Sequence, residues 1–116
     1  MGKSAKEVLG ELQSNMPKLA QALPDVTGDF MKKLMPDAMR DGAVSRKVKE
    51  LIALGISVSL RCDYCIAMHV KNCFDAGATK EEITEVLGVA ILMGGGPAMA
   101  FSSFVMQAIE ELAPKA

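Results

Sequence analysis

Two cysteines and the only histidine of the chain fall within one short stretch, Cys62-Asp63-Tyr64-Cys65-Ile66-Ala67-Met68-His69, and the third cysteine, Cys73, follows one helical interval later. On a helix advancing about 100° per residue, Cys65, His69 and Cys73 lie at about −60°, −20° and +20° from Cys62, so all four share a stripe. Side chains three apart on a helix have Cβ atoms about 5–6 Å apart, a spacing compatible with a disulfide between Cys62 and Cys65. His69 stands four residues after Cys65, where its imidazole can take the thiol proton or steady the thiolate. The stretch therefore offers a nucleophile, a base and a second sulfur.

This chemistry needs a helix that starts at the motif, and the flanking sequence supplies one. Ser45 is a natural N-cap for a helix running to about Leu60, with Val48, Leu51, Ile52, Gly55, Ile56, Val58 and Ser59 giving a wide apolar face. Arg61 or Cys62 breaks it, and the next helix runs through Ala76 to a left-handed cap at Gly77. The cysteines then lie in its first turns, where the positive end of the helix dipole stabilises thiolate, most strongly for the earlier Cys62. Glu50, with Ala53 and Ser57 at helical spacing, is a candidate on periodicity to point along a small polar groove, while helix logic alone favours a solvated glutamate paired with Arg46 or Lys47.

The remaining elements read as scaffold. Ser4 and Glu7 form a capping box for an N-terminal helical arm over residues 1–23, in which Val8, Leu12, Leu19 and Leu23 recur at helical spacing interrupted by Pro17. Pro24 or Asp25 opens a second helix carrying Val26, Phe30, Leu34 and Met35, bent at Pro36 and stopped by Gly42, with a short turn at Asp41-Gly42-Ala43. Thr79 and Glu82 form a second capping box ahead of a helix with Ile83, Val86, Leu87 and Ala90 inward. Between Glu85 and Glu110 lie 24 uncharged residues, long enough to span a membrane. Gly94-Gly95-Gly96-Pro97 splits that run, and Ser102, Ser103 and Gln107 dot its second half, so two buried helices joined by a tight turn fit better. The expectation is one all-α fold of about six helices, with residues 24–116 as the main domain.

Composition narrows the function classes. The 116 residues are 50% apolar but only 4% aromatic, which implies an aliphatic, methionine-rich core. A mean hydropathy of +0.23 is high for so small a domain and points to apolar surface hidden in a homo-oligomer. A formal net charge of −1 with scattered Lys and Arg argues against a nucleic-acid partner. The first residues lack the apolar core of a signal peptide, and Lys6 replaces the Ser or Thr of a myristoylation signal, so a cytoplasmic protein is expected. In a reducing compartment a CxxC pair is catalytic or metal-binding more often than structural.

Several chemistries compete for the motif. Haem attachment needs His directly after the second cysteine, where Ile66 stands, and an iron–sulfur cluster usually takes four cysteines. Zinc has an acceptable donor set in Cys62, Cys65, His69 and Glu50, although structural zinc sites usually join two separated ligand pairs. The cysteines can also be read as small buried hydrophobes, the preferred reading for Cys73 alone. For Cys62, Cys65 and His69 together, the joint spacing favours redox chemistry.

Taken together, Glu50, Cys62-x-x-Cys65-x-x-x-His69, Gly77, Thr79-x-x-Glu82 and the Gly95-Gly96-Pro97-Ala98 turn resemble the AhpD-like branch of the carboxymuconolactone decarboxylase superfamily, over about residues 24–112. The resemblance implies an all-helical subunit of a homo-oligomer, a trimer or a hexamer, acting as a thiol peroxidase or as a disulfide reductase for a peroxiredoxin. It implies no haem, flavin or metal cofactor, and a thiol or dithiol reductant. By it, Cys65 matches the attacking thiol, Cys62 the resolving one, and His69 and Glu50 the proton relay. A position that is a relay histidine in some members is Tyr64 here, so the relay is shorter or runs through water or the phenol. Tyr64 and Met68, with the glycine turn, are candidates to line a pocket. The superfamily's decarboxylase branch supplies a second reading, a non-redox lyase in which His69 and Glu50 move protons on a lactone acid. A zinc-binding or scaffold oligomer is the third.

Overall fold

In the computed structural model, which describes residues 2–115, helix follows helix and no strand occurs among the described residues. Helix α1, Ala5–Ala22, begins at the expected capping box: Glu7 N–H donates to Ser4 Oγ at 3.1 Å and Ser4 N–H to the Glu7 carboxylate at 3.2 Å. Pro17 lies within α1 without ending it. The first turns bury Ala5, Val8 and Leu9 against α5 (Asp63–Asp75) and α6 (Lys80–Leu112), while Leu19 and Leu23 at the far end stay exposed.

Pro24 starts the next run at the first helical position, where its missing N–H costs nothing. That run comprises α2, Pro24–Gly28, a π-helical turn, Asp29–Leu34, and α3, Met35–Met39. The bend expected at Pro36 takes the form of this π turn, in which Met35 N–H reaches back five residues to Phe30 C=O. Proline has no N–H to donate and its ring crowds the carbonyl four residues earlier, so a locally wider helix ahead of it relieves both. The run stops at Met39, with Arg40 extended, earlier than the Gly42 stop that composition suggested. Arg40 C=O is instead taken by Lys49 Nζ at 2.7 Å, and Asp41 caps the following loop by accepting from Arg46 N–H at 2.7 Å.

Helix α4, Arg46–Ser59, is capped by Ser45 as expected, with Val48 N–H donating to its hydroxyl. Its anticipated wide apolar face divides in two. Leu51, Leu54 and Val58 enter the core together with the polar Glu50 and Ser57, whereas Val48, Ile52 and Ile56 point outward. Arg61, at φ 55°, makes the sharp break before α5, which ends in a Schellman motif at Gly77 (φ 91°): Ala78 N–H bonds Cys73 C=O and Gly77 N–H bonds Phe74 C=O.

Thr79 and Glu82 form the second capping box, opening α6. The tight turn expected at Gly94–Pro97 is reduced to one residue: helical bonding continues through Leu112, broken only at Gly95, whose φ of 68° and ψ of −147° suit glycine alone. At Gly94 a Cβ would stand 2.7 Å from that of Ala98, so the backbone approach across this kink also requires a missing side chain. By length and composition α6 could cross a membrane, yet Ile83, Leu87, Ala98, Val105 and Ile109 along it join the core built by α4 and α5. That core, centred on Leu54, Val58, Ile66, Val70, Cys73, Ile83 and Val105, fixes the start of α5 against the middle of α4. The candidate site lies at that junction.

Candidate functional site

Cys62 is the N-cap of α5, with φ −108° and ψ 101°, and its sulfur accepts the Cys65 N–H at 3.1 Å. A cap residue has extended backbone and a side chain folded back over the first turn, which brings the two sulfurs together. They form a Cys62–Cys65 disulfide with Cα atoms 5.2 Å apart. Both sulfurs sit at the positive end of a 13-residue helix, which favours thiolate over thiol once the bridge is reduced.

One turn along α5, His69 Nδ1 lies 2.8 Å from Glu50 Oε1 on α4. Glu50 is only 2% exposed, so the solvated glutamate favoured by helix logic gives way to a buried carboxylate facing an imidazole. Neither Arg46 nor Lys47 pairs with it; Lys47 reaches Glu82 instead, at 2.8 Å, and holds that carboxyl below its ordinary range. With Glu50 as a carboxylate and the imidazole neutral, the carboxylate oxygen accepts the Nδ1 proton and Nε2 of His69 keeps a free lone pair, the arrangement a general base requires. Burial of an ionisable group holds no advantage unless it is paired, and here each partner supplies what the other needs.

Cys73 shares the stripe but not the chemistry. It is wholly buried, and burial, with a lesser effect of the Glu50 charge, pushes its thiol up to about 12. It remains a free, protonated thiol and acts as a core residue.

Cys65 opens onto an apolar cleft of about 180 Å³, of which Tyr64 and Met68 form part of the wall and the glycine turn forms none. The rest of the wall comes from α1 and from the run around the π turn, residues that the sequence did not mark as functional. The one available signal was the spacing of Met31 and Met35, four apart in a chain with nine methionines. Tyr64 does not reach the His69–Glu50 pair. Its hydroxyl donates to Glu11 Oε2 on α1 at 3.3 Å, and Glu11 is in turn salt-bridged to Lys3, which keeps the Glu11 carboxyl below its ordinary range. Among the described residues no three His, Cys, Asp or Glu side chains gather in a geometry that could hold a metal ion.

A helical fold carrying a CxxC pair at a helix start, backed by a buried carboxylate and imidazole, defines the class of protein. The chain belongs to the carboxymuconolactone decarboxylase family, whose model matches residues 25–108. It is similar to a family protein of Legionella pneumophila of known structure, with a TM-score of 0.89 and 32% identity covering 95% of this chain and 97% of that one. A family protein of Thermotoga maritima whose name carries a suggested part in the antioxidative response aligns with a TM-score of 0.68 and 34% identity, over 75% of this chain and 90% of its own. In sequence, an uncharacterized protein of Cupriavidus necator is 37% identical over 84% of this chain and 86% of its own length. The 4-carboxymuconolactone decarboxylase of Acinetobacter baylyi is 28% identical over 91% of this chain and 78% of its own.

Proposed function

We propose that this chain is a thiol-dependent peroxidase or disulfide reductase of the AhpD-like kind, cycling the Cys62–Cys65 disulfide. The observation that carries the reading is the placement of this cysteine pair at the start of α5, one turn from the 2.8 Å His69–Glu50 pair. The antioxidative role suggested for the Thermotoga relative agrees with it.

The disulfide form corresponds to the end of a turnover. Starting from the dithiol, His69 takes the Cys65 proton while Glu50 holds the imidazole by its Nδ1–H. The Cys65 thiolate attacks a hydroperoxide oxygen, the O–O bond breaks, and the departing alkoxide takes the proton back from His69, leaving a sulfenic acid on Cys65. Cys62 then attacks the Cys65 sulfur, the S–O bond breaks, and hydroxide leaves as water. Each cycle thus turns one hydroperoxide into an alcohol and water at the cost of two thiols. With a partner disulfide, Cys65 instead forms a mixed disulfide that Cys62 resolves. An external thiol or dithiol returns both cysteines to the reduced form. The assignment of attack to Cys65 rests on His69 acting on that sulfur, while the dipole acts more strongly on Cys62.

The relation to a decarboxylase supports the second reading, in which His69 and Glu50 move a proton on a lactone acid and the sulfurs are idle. Hydroperoxide consumption coupled to a dithiol, followed beside the conversion of a carboxylated lactone, separates the two. Loss of peroxide turnover in Cys65→Ser supports the redox cycle, and lactone conversion that survives Cys65→Ser replaces it with the lyase.

The same reading takes the chain as a homo-oligomer. Val48, Ile52, Ile56, Val89 and Met93 line an almost wholly apolar groove of about 430 Å³ between α4 and α6, a surface that a second copy would cover. Light scattering behind size exclusion tests it, with Ile52→Glu expected to shift the mass towards the 12.3 kDa monomer.

A further inference from the structure

Nine methionines and three cysteines make 12 sulfur-bearing residues in 116, yet five of the eight residues that line the cleft at Cys65 carry sulfur: Cys65 itself, Met16, Met31, Met35 and Met68. Four of them come in facing pairs. Cys65 and Met68 stand three apart on α5, and Met31 and Met35 stand four apart across the π turn and the start of α3, spacings that put each pair on one face of its element. Met16 joins them from α1. We propose that, with its disulfide reduced, the chain binds one soft monovalent cation, Cu(I) or Ag(I), between the Cys65 thiolate and these thioethers.

Donor chemistry and charge select the ion. Thiolate and thioether sulfur are soft donors that favour Cu(I), whereas hard cations take carboxylate, carbonyl or water oxygen, and the cleft lining exposes no polar surface to supply it. One thiolate and neutral thioethers around a monovalent ion make an uncharged unit, which an apolar cleft holds without penalty. A divalent ion with the same donors would leave a positive charge buried and unpaired. His69 and Glu50 engage each other at 2.8 Å, which removes both from the ligand set and leaves sulfur to complete the coordination.

The disulfide sets the condition for uptake. With Cys62 and Cys65 bonded to each other, Cys65 has no thiolate to offer, so the ion enters only after reduction. Binding exchanges the Cys65 thiol proton for the cation with no change of oxidation state, and the proton passes to His69, one turn along α5, and on to solvent. Methionine side chains are unbranched and deformable, so the thioethers can close to bonding distance without moving their helices. The inference is independent of the peroxidase reading, since a chain that consumes no hydroperoxide still holds the ion.

The test is anaerobic titration of the reduced full-length chain with Cu(I) in competition with bicinchoninate, whose coloured complex reports the ion that the protein does not hold. The expected result is one Cu(I) per reduced chain, none in the disulfide form, retention in Cys62→Ser and loss in Cys65→Ser. Met68→Leu, and Met31→Leu combined with Met35→Leu, keep the apolar volume and remove only sulfur. Each should weaken binding by at least the roughly tenfold that groups one step removed from a metal contribute. Melting establishes that the variants are folded, and Met68→Leu carries the test if the double variant is not. Zn(II) offered to the same reduced chain should not displace Cu(I). The proposal is overturned if the reduced wild type retains no Cu(I), if the folded leucine variants bind as tightly as the wild type, or if Zn(II) displaces the ion. It is overturned equally if Cys62→Ser abolishes binding, which would place the ion on the cysteine pair alone.

Discussion

Glu50 on α4 and His69 on α5 meet at 2.8 Å, the carboxylate buried and the imidazole partly so, where α5 delivers its two N-terminal cysteines. If this pair drives thiol chemistry, Glu50→Gln, which keeps the shape but removes the carboxylate, slows thiol loss to hydroperoxide by about 10²-fold, the lower end of what general acid–base groups contribute. His69→Ala slows it at least as much. Stopped-flow measurement of thiol loss checks both, with melting temperature as the control for a structural effect.

Cys73 gives a prediction about pH. Its thiol sits at about 12 in the folded chain against an ordinary 9.0, so the native state binds its proton more tightly than the unfolded state. The stabilisation is therefore complete below pH 9.0 and is lost as pH rises from there towards 12, with a single-proton slope of about 1.4 kcal/mol per pH unit. Denaturation of wild type and Cys73→Ala at several pH values should show their stability difference shrinking along that slope. A thiol-directed reagent should label Cys73 only after unfolding.

Gly95 holds the kink of α6 in a conformation open to glycine alone. Gly95→Ala should destabilise the fold by about 1–3 kcal/mol, seen as a melting temperature lower by about 5–20 °C. Cys62 and Cys65 lie at the start of a different helix, so thiol reactivity per folded molecule should be retained.

Ser102 has the opposite sign. Its hydroxyl is buried in α6 and, among the described residues, makes no hydrogen bond. Ser102→Ala removes an unpaired polar group without opening a large space and should stabilise by about 1 kcal/mol. Thermal melting of this variant beside the wild type is the check.

What the sequence made legible is what local rules control. Ser4, Ser45 and Thr79 cap helices where their side chains allow, and Gly77 ends α5, because each device acts within a few residues. The cysteine–histidine stripe was legible for the same reason. Periodicity made Glu50 a candidate but left its burial illegible, since that depends on α5 arriving over α4, and the family resemblance raised it to a favoured site residue. The division of the α4 apolar face was hidden too: Ile52 and Leu51 are equally apolar, and only the packed core decides that Leu51 goes in. The cleft at Cys65 draws on residues from position 12 to position 68, a juxtaposition that no single window of sequence contains.

If Cys62 and Cys65 cycle as a redox pair, free-thiol titration of the reduced chain before and after one equivalent of hydroperoxide reads that cycle without any carrier protein. The predicted result is the loss of two thiols per chain, with Cys73 untouched, full recovery with dithiothreitol, and no intramolecular bridge in Cys65→Ser. Retention of all three thiols, or turnover that persists in Cys65→Ser, would contradict it.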